Sequence, residues 1–218
     1  MAFKLKTLLA AAAATALAGL IAGAARAGTV LADDFSSGGA NSLLNWAGDA
    51  TFASPSGTSN ASTDYLNAGS AYGNLCQGYA QCVDLDGSTG VGNAPSGLLV
   101  SNATFGAGAY KLTFTLSGND RSGYAPQATD VYLGNQLITS LTLASNVAPT
   151  VFSYNFSSSG GALSFVEQGP SSQAGALLFD VNLSTAAPEP ATWAMLLLGL
   201  GGLGARLRSR RRPALAKI

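Results

Sequence analysis

Residues 110–116 read Tyr-Lys-Leu-Thr-Phe-Thr-Leu, and their alternation is strict. Leu112, Phe114 and Leu116 fall on one face, and Lys111, Thr113 and Thr115 on the other. A period of two suits only a strand with one buried face; wound as a helix, the same residues would scatter their apolar groups around the axis. Further apolar pieces of similar length recur at 30–35, 82–86, 97–105, 129–133, 136–143, 151–156, 162–166 and 177–183. Between them lie turn-forming groups such as Gly134-Asn135, Ser159-Gly160-Gly161 and Gly169-Pro170. Short strands at regular spacing, divided by Gly and Asn turns, predict an all-β fold: a single antiparallel β-sandwich. Residues 36–75 are rich in Ser, Gly, Asn and Thr, interrupted by Leu43-Leu44-Asn45-Trp46, and carry no readable period; Trp46 is expected in the core.

The two ends differ from this pattern. Lys4 and Lys6 precede an apolar run from Leu8 to Ala24, followed by Ala25-Arg26-Ala27 and Gly28. Positive start, apolar helix and small-x-small site are the three parts of a secretory signal peptide, with cleavage expected between Ala27 and Gly28. At the other end, Pro188-Glu189-Pro190 is followed by a charge-free stretch over 191–205 and then by Arg206, Arg208, Arg210, Arg211 and Arg212. The prolines favour an extended segment around Glu189, and the arginines would stay cytoplasmic. Fifteen helical residues reach roughly 22 Å against a hydrocarbon core of about 30 Å, so the stretch reads as a short, temporary anchor. The expected organisation is a signal peptide over 1–27, an exported domain over 28–187 and a tail over 188–218. The sandwich is thus flanked by an N-terminal signal helix and a C-terminal hydrophobic helix.

The tail resembles the PEP-CTERM sorting signal in its Pro-Glu-Pro motif, its Trp193-Ala194-Met195 helix start, its Gly-rich apolar run and its arginine cluster. That resemblance implies recognition and cleavage by exosortase, an integral-membrane protease of Gram-negative bacteria that make exopolysaccharide. It makes Pro188, Glu189 and Pro190 the sorting motif. Within the exported part, Val83–Ser88, Ala109–Asn119, Gly161–Phe165 and Ala176–Leu183 together resemble galactose-binding-type jelly-roll domains of bacterial surface proteins. This second resemblance implies a jelly roll without establishing sugar binding. It also implies a structural calcium between the first-strand loop and the last strand, where Asp34 (or Asp33) and Asp180 are the matching carboxylates. Read without the resemblance, those residues are simply exposed or hydrogen-bonded acids.

The chain's formal net charge of zero hides a strong segregation. Residues 28–187 hold Lys111 and Arg121 against nine Asp and Glu167, a net charge of −8. A surface of that sign repels phosphate backbones and excludes nucleic acid as a partner. Cys76 and Cys82 form an even pair in an oxidising compartment and read as one disulfide, contributing on the order of 2 kcal/mol for so short a loop. The chain has no histidine, which removes Ser-His-Asp catalysis and His-ligated metals. Asp84 and Asp86 share one strand face, unlike the opposed carboxylates of a glycosidase, and read as solvated strand-end residues. Tyr72, Tyr79, Tyr124 and Asn119 are the side chains suited to sugar contacts, and equally suited to semi-buried packing.

No catalytic residue is assigned. The expected function is that of a non-enzymatic surface or extracellular-matrix protein, processed by signal peptidase and exosortase and associated with exopolysaccharide in a biofilm. Before processing it is held in the inner membrane by its C-terminal helix; afterwards it lies at the cell surface or outside. The competing expectation is a secreted carboxylate-dependent hydrolase acting on polysaccharide.

Overall fold

A computed structural model describes residues 28–55, 62–88, 97–168, 172–186, 198–203 and 206. Twelve strands build two antiparallel sheets. They are β1 (Thr29–Asp33), β2 (Leu43–Trp46), β3 (Phe52–Ala53), β4 (Thr63–Asn67), β5 (Gln81–Asp84), β6 (Leu98–Phe105), β7 (Gly108–Ser117), β8 (Gln127–Leu133), β9 (Gln136–Leu143), β10 (Thr150–Ser158), β11 (Gly161–Gln168) and β12 (Leu177–Thr185). The first sheet runs β10-β7-β12-β5-β4-β2, with β1 also paired to β12; the second runs β3-β6-β11-β8-β9. Strands β5 to β12, apart from the β8–β9 hairpin, thus alternate between sheets in the nested double Greek key of a jelly roll. The fold is the predicted all-β sandwich.

The period-two reading of 110–116 holds at atomic level. Leu112, Phe114 and Leu116 are fully buried in one core that also contains Val83, Leu99, Val131, Leu163, Phe165, Leu178 and Leu183. Phe114 packs edge-on to Phe165 at 5.3 Å and stacks on Phe152 at 5.6 Å, so one side chain joins both sheets. The turn at Gly134 needs glycine: its φ is +60°, and a β-carbon there would sit 2.2 Å from the Gly160 carbonyl oxygen.

Strands β2, β3 and β4 fall in the stretch that carried no readable period. Their burial explains this. Four of the five residues of β4 are buried, so the strand has no polar face to alternate with. One side packs into the main core through Tyr65; the other faces a second, smaller cluster of Leu66, Leu75, Cys76, Cys82, Leu177 and Phe179. Trp46 is in the main core, tilted against Tyr65 and edge-on to Phe35.

That smaller cluster is the work of the disulfide. Cys76 and Cys82 are bonded, their Cα atoms 5.5 Å apart. The closed loop folds over the outer face of the first sheet, where Tyr79 packs on Phe179 and Gln77 Nε2 donates to Ser117 Oγ at 3.1 Å. Thr115, placed on a polar face by the alternation, is also only 3 % exposed.

Residues Gly28–Ala186 form one compact unit. Outside it, residues 198–203 and 206 are helical and exposed. Among the described residues no helix is long and apolar enough to cross a membrane. Most of the predicted 191–205 helix, and the whole signal peptide, lie outside the described residues.

Candidate functional site

The strand registers give the sandwich two distinct poles. At one pole β12 begins: Leu177 pairs with both Ser117 and Asp84, and Asp84 pairs with Asp64. At the other, β12 ends beside the starts of β1 and β7, with Thr185 opposite Tyr110 and Ser184 opposite Thr29. Ten residues of β7 separate the poles, about 30 Å of extended chain.

The first pole is organised by buried carboxylates. Asp84 and Asp86 are each 1 % exposed, not solvated as the sequence reading had them. Their oxygens collect loop donors. Asp84 Oδ1 accepts from the backbone N–H of Asp86 and of Gly175, and its Oδ2 from Arg121 at 2.8 Å. Asp86 Oδ2 accepts from the N–H and the hydroxyl of Ser172. Burial pushes Asp84 up to about 6, against the opposing pull of Arg121. Glu167 lies close behind. It is 3 % exposed; its Oε2 accepts from Thr129 at 2.8 Å and its Oε1 has no hydrogen-bond partner. Burial first, then the charges of Asp84 and Asp86, push it up to about 8. At neutral pH Glu167 is therefore a neutral acid under the loop.

Over this framework sits a small hollow of 210 Å³, lined by Leu44, Asp64, Leu66, Tyr72, Ser88, Arg121 and Gln173. Tyr72 is 47 % exposed and offers an aromatic face. Around it stand planar polar groups. Arg121 donates to the Gln173 carbonyl, Gln173 Nε2 to the Ser88 carbonyl, and Ser88 Oγ to Asp64 Oδ2. Aromatic face and planar hydrogen-bonding groups are the chemistry that suits a neutral sugar. Of the side chains the sequence offered for that role, only Tyr72 lines this hollow. Tyr79 packs on Phe179, and Tyr124 is exposed elsewhere. Asn119 is 2 % exposed and tied to Ala174 and Arg121, so it serves the loop and not a ligand. Arg121, Gln173 and Asp64 carried no signal in the sequence, because their meeting depends on bringing strand β4 and two separate loops together.

A second hollow, of 520 Å³, is lined by Ala32, Asp33, Asp34, Ser36, Ser37, Ala50, Thr51, Asp180, Val181 and Asn182. It brings together Asp34 and Asp180, the acids the resemblance offered for calcium. Asp34, however, is exposed and accepts from the Ser36 N–H, and its bonds to Ser36 hold it below the usual carboxylate range. The acid with spare capacity is Asp33. Its Oδ1 accepts from the Phe35 N–H, whereas its Oδ2 is buried without a partner. Burial, aided by the nearby charge of Asp49, raises its pKa. Asp49 is already engaged by Ser37, Thr51 and Phe52. Calcium wants six to eight oxygens, and among the described residues no group of three or more acidic, His or Cys side chains is placed to hold a metal. Asp34 and Asp180 thus line one hollow together with Asp33.

The second pole carries the chain's two junctions. The Gly28 N–H donates to Thr185 Oγ1 at 3.1 Å, and the Thr185 N–H donates to the Gly28 carbonyl at 2.9 Å. The Ala186 N–H donates to the Ala109 carbonyl at 2.8 Å. Of the predicted processing residues, Gly28 is placed here; Ala25, Ala27, Pro188, Glu189 and Pro190 lie outside the described residues.

A PEP-CTERM protein-sorting motif matches residues 186–212. Such a motif implies export, a C-terminal membrane anchor before processing, and processing by exosortase. No curated protein matches the chain. Among solved structures it is similar to the K3 cleaved adhesin domain of Lys-gingipain from Porphyromonas gingivalis, at 15 % identity and a TM-score of 0.48, over 73 % of this chain and all 100 % of that one. A cyclase from Fischerella sp. TAU shares 12 % identity over 68 % of this chain and 90 % of its own, with a TM-score of 0.42. A carbohydrate binding module of Cellvibrio mixtus lichenase 5A, solved with cellotriose, shares 10 % identity over 66 % of this chain and 96 % of its own, with a TM-score of 0.35.

Proposed function

We propose that this chain is an exported, exosortase-processed surface protein whose jelly-roll domain is a non-catalytic binding and matrix-building unit that holds neutral extracellular polysaccharide weakly. The observation that carries the reading is the placement of the sorting motif: it begins at Ala186, directly after β12 ends at Thr185, on the pole opposite the Tyr72 hollow. A domain tethered by that end presents the hollow outward, about 30 Å from its attachment. The site's chemistry supports binding without turnover. Asp84 and Asp86 are committed to loop donors and Glu167 is buried beneath them, so these three acids do not face one another across the Tyr72 hollow. A small hollow with one exposed ring fits a low affinity per site, multiplied by many copies on a surface.

The test is retention of the purified mature protein on the host's own extracellular polysaccharide. Retention is expected, with or without a chelator, and should weaken several-fold in Tyr72→Ala while the protein stays folded. No retention would leave only a structural role, and release of reducing ends from the polymer would establish the hydrolase reading instead.

A further inference from the structure

One edge of the sandwich differs from the others. A sheet edge exposes unpaired N–H and C=O groups, and proteins blunt it with short strands, bulges or charges. β3 is two residues long. The registers of β1, β2 and β9 with their partners are each broken once, at Thr29/Leu31, Leu43/Trp46 and Val131/Tyr132. β10 uses none of these devices. Its nine residues pair with β7 in unbroken register, from Thr150 opposite Leu116 to Ser158 opposite Gly108. Among the described residues no strand pairs with its other side. Val151 is 64 % exposed, and the rings of Phe152, Tyr154 and Phe156 are only partly buried against the core. Charge is missing as well. Residues 131–166, which include β9 and β10, hold no Asp, Glu, Lys or Arg, in a domain of net charge −8.

From this we infer that β10 is a self-association edge, on which a second copy of this chain adds its own β10 antiparallel, about a two-fold axis through Tyr154. The charge pattern selects the partner. Two copies that each carry −8 repel wherever acids meet, and this neutral flank lets them approach without bringing like charges together. The strand is also self-complementary, as a two-fold contact requires. Tyr154 is the middle residue of Thr150–Ser158, so a turn about it uses the whole strand. That turn sets Phe152 opposite Phe156 of the second copy, and Ser153 opposite Asn155 of the second copy. Rings then meet rings on the core side, and small polar groups meet on the outer side. Nine extended residues and two sheet layers give the flank roughly 30 by 20 Å, about 600 Å² per copy. A total near 1,200 Å² is roughly the lower bound of a specific interface, so the pair is reversible. Leu44 and Asp64 of the Tyr72 hollow stand on β2 and β4, at the far end of the same sheet. Pairing therefore leaves both hollows open and joins two of them in one particle, and it does not depend on what they hold.

The test is sedimentation velocity of the purified mature protein from about 2 to about 200 µM, with hydrogen exchange at both ends of that range. A dimer that grows with concentration is expected, with exchange slowed over residues 150–158 and unchanged over β2. Asn155→Glu should weaken it at least about tenfold, because the two new acids stand diagonally across the axis in an already acidic pair. Lys111 lies opposite Asn155 on β7, so the fold accommodates that acid, and an unchanged urea midpoint checks this. Ser153→Lys should weaken self-association as well, since lysine blunts an edge. Mixing the two variants should restore a dimer, because the new base of one then faces the new acid of the other. A monomer at every concentration overturns the inference. So does a dimer that Asn155→Glu leaves intact, which would place the contact elsewhere, and so does a mixture that stays monomeric. The exchange result needs no variant: equal rates over 150–158 at both concentrations overturn the inference too.

Discussion

Arg121 reaches from the loop after β7 to the carboxylate of Asp84, at the end of β5, with an N–O distance of 2.8 Å. The acid is 1 % exposed and the base 22 % exposed, so this ion pair sits at the boundary of the core, with its buried half unable to find water. Only two basic residues occur between 28 and 187, and one of them is used here.

Removing Arg121 leaves a buried carboxylate that keeps its two backbone donors but loses its counter-charge. Arg121→Ala should destabilise the domain by about 3 kcal/mol. Urea unfolding measures this, and the deficit should shrink as the pH falls towards about 6, because without the guanidinium the acid is raised further and the variant takes up its proton first. An equal deficit at all pH values would mean that the guanidinium acts through packing alone.

Glu167 makes stability depend on pH in an unusual sense. Its folded pKa is raised from 4.5 to about 8 by burial and by the charges of Asp84 and Asp86. The folded protein therefore holds a proton that the unfolded chain releases. The stability this contributes is complete below about pH 4.5 and is lost as pH rises through 8, a fall of several kcal/mol. Asp84 and Asp33, also raised, act in the same direction. The domain should unfold more readily at about pH 9 than at about pH 5, and Glu167→Gln should flatten that slope and raise stability at the alkaline end. A variant with the wild-type slope would clear Glu167 of the role.

Phe114 is the residue on which the two sheets meet, and it is fully buried between Phe152, Tyr154 and Phe165. Phe114→Ala should cost about 3–5 kcal/mol. A loss under about 1 kcal/mol, measured by thermal or urea unfolding, would show that the sandwich does not close over this ring.

Breaking the Cys76–Cys82 bond should have a local signature. The bond holds a loop over Leu66, Leu177 and Phe179 on the outer face of the first sheet, away from the main core. Cys76→Ser with Cys82→Ser should cost about 2 kcal/mol and speed hydrogen exchange in residues 73–84 ahead of the remaining strands. Uniform acceleration over all strands would contradict the separation of the two clusters.

What the sequence disclosed and what it hid follow one physical rule. Strands with a single buried face print their geometry as a period of two, so β8 and β9 were legible to within two residues. Strand β4, covered on both faces by Tyr65 on one side and Leu66 on the other, has no contrast to print. Burial of Asp84 and Asp86 was invisible for a related reason. A carboxylate at a strand end looks solvated until the loops that supply its donors, here residues 172–175 and 121, are placed in space. The sorting tail was legible because its parts are contiguous in the chain, whereas the Tyr72 hollow draws on residues 44, 64–88, 121 and 173 and exists only in the fold.

The most direct test is the intact mass of the protein recovered from the cell surface, in cells with exosortase and in cells from which it has been deleted. With the protease, the mature species should begin at Gly28 and end near Pro188-Glu189-Pro190, lacking the arginine-rich end. Without it, the species should still begin at Gly28 but retain every residue to Ile218 and stay in the membrane fraction. A full-length tail on surface material from exosortase-bearing cells would contradict the sorting function, as would a tail removed equally well when exosortase is absent.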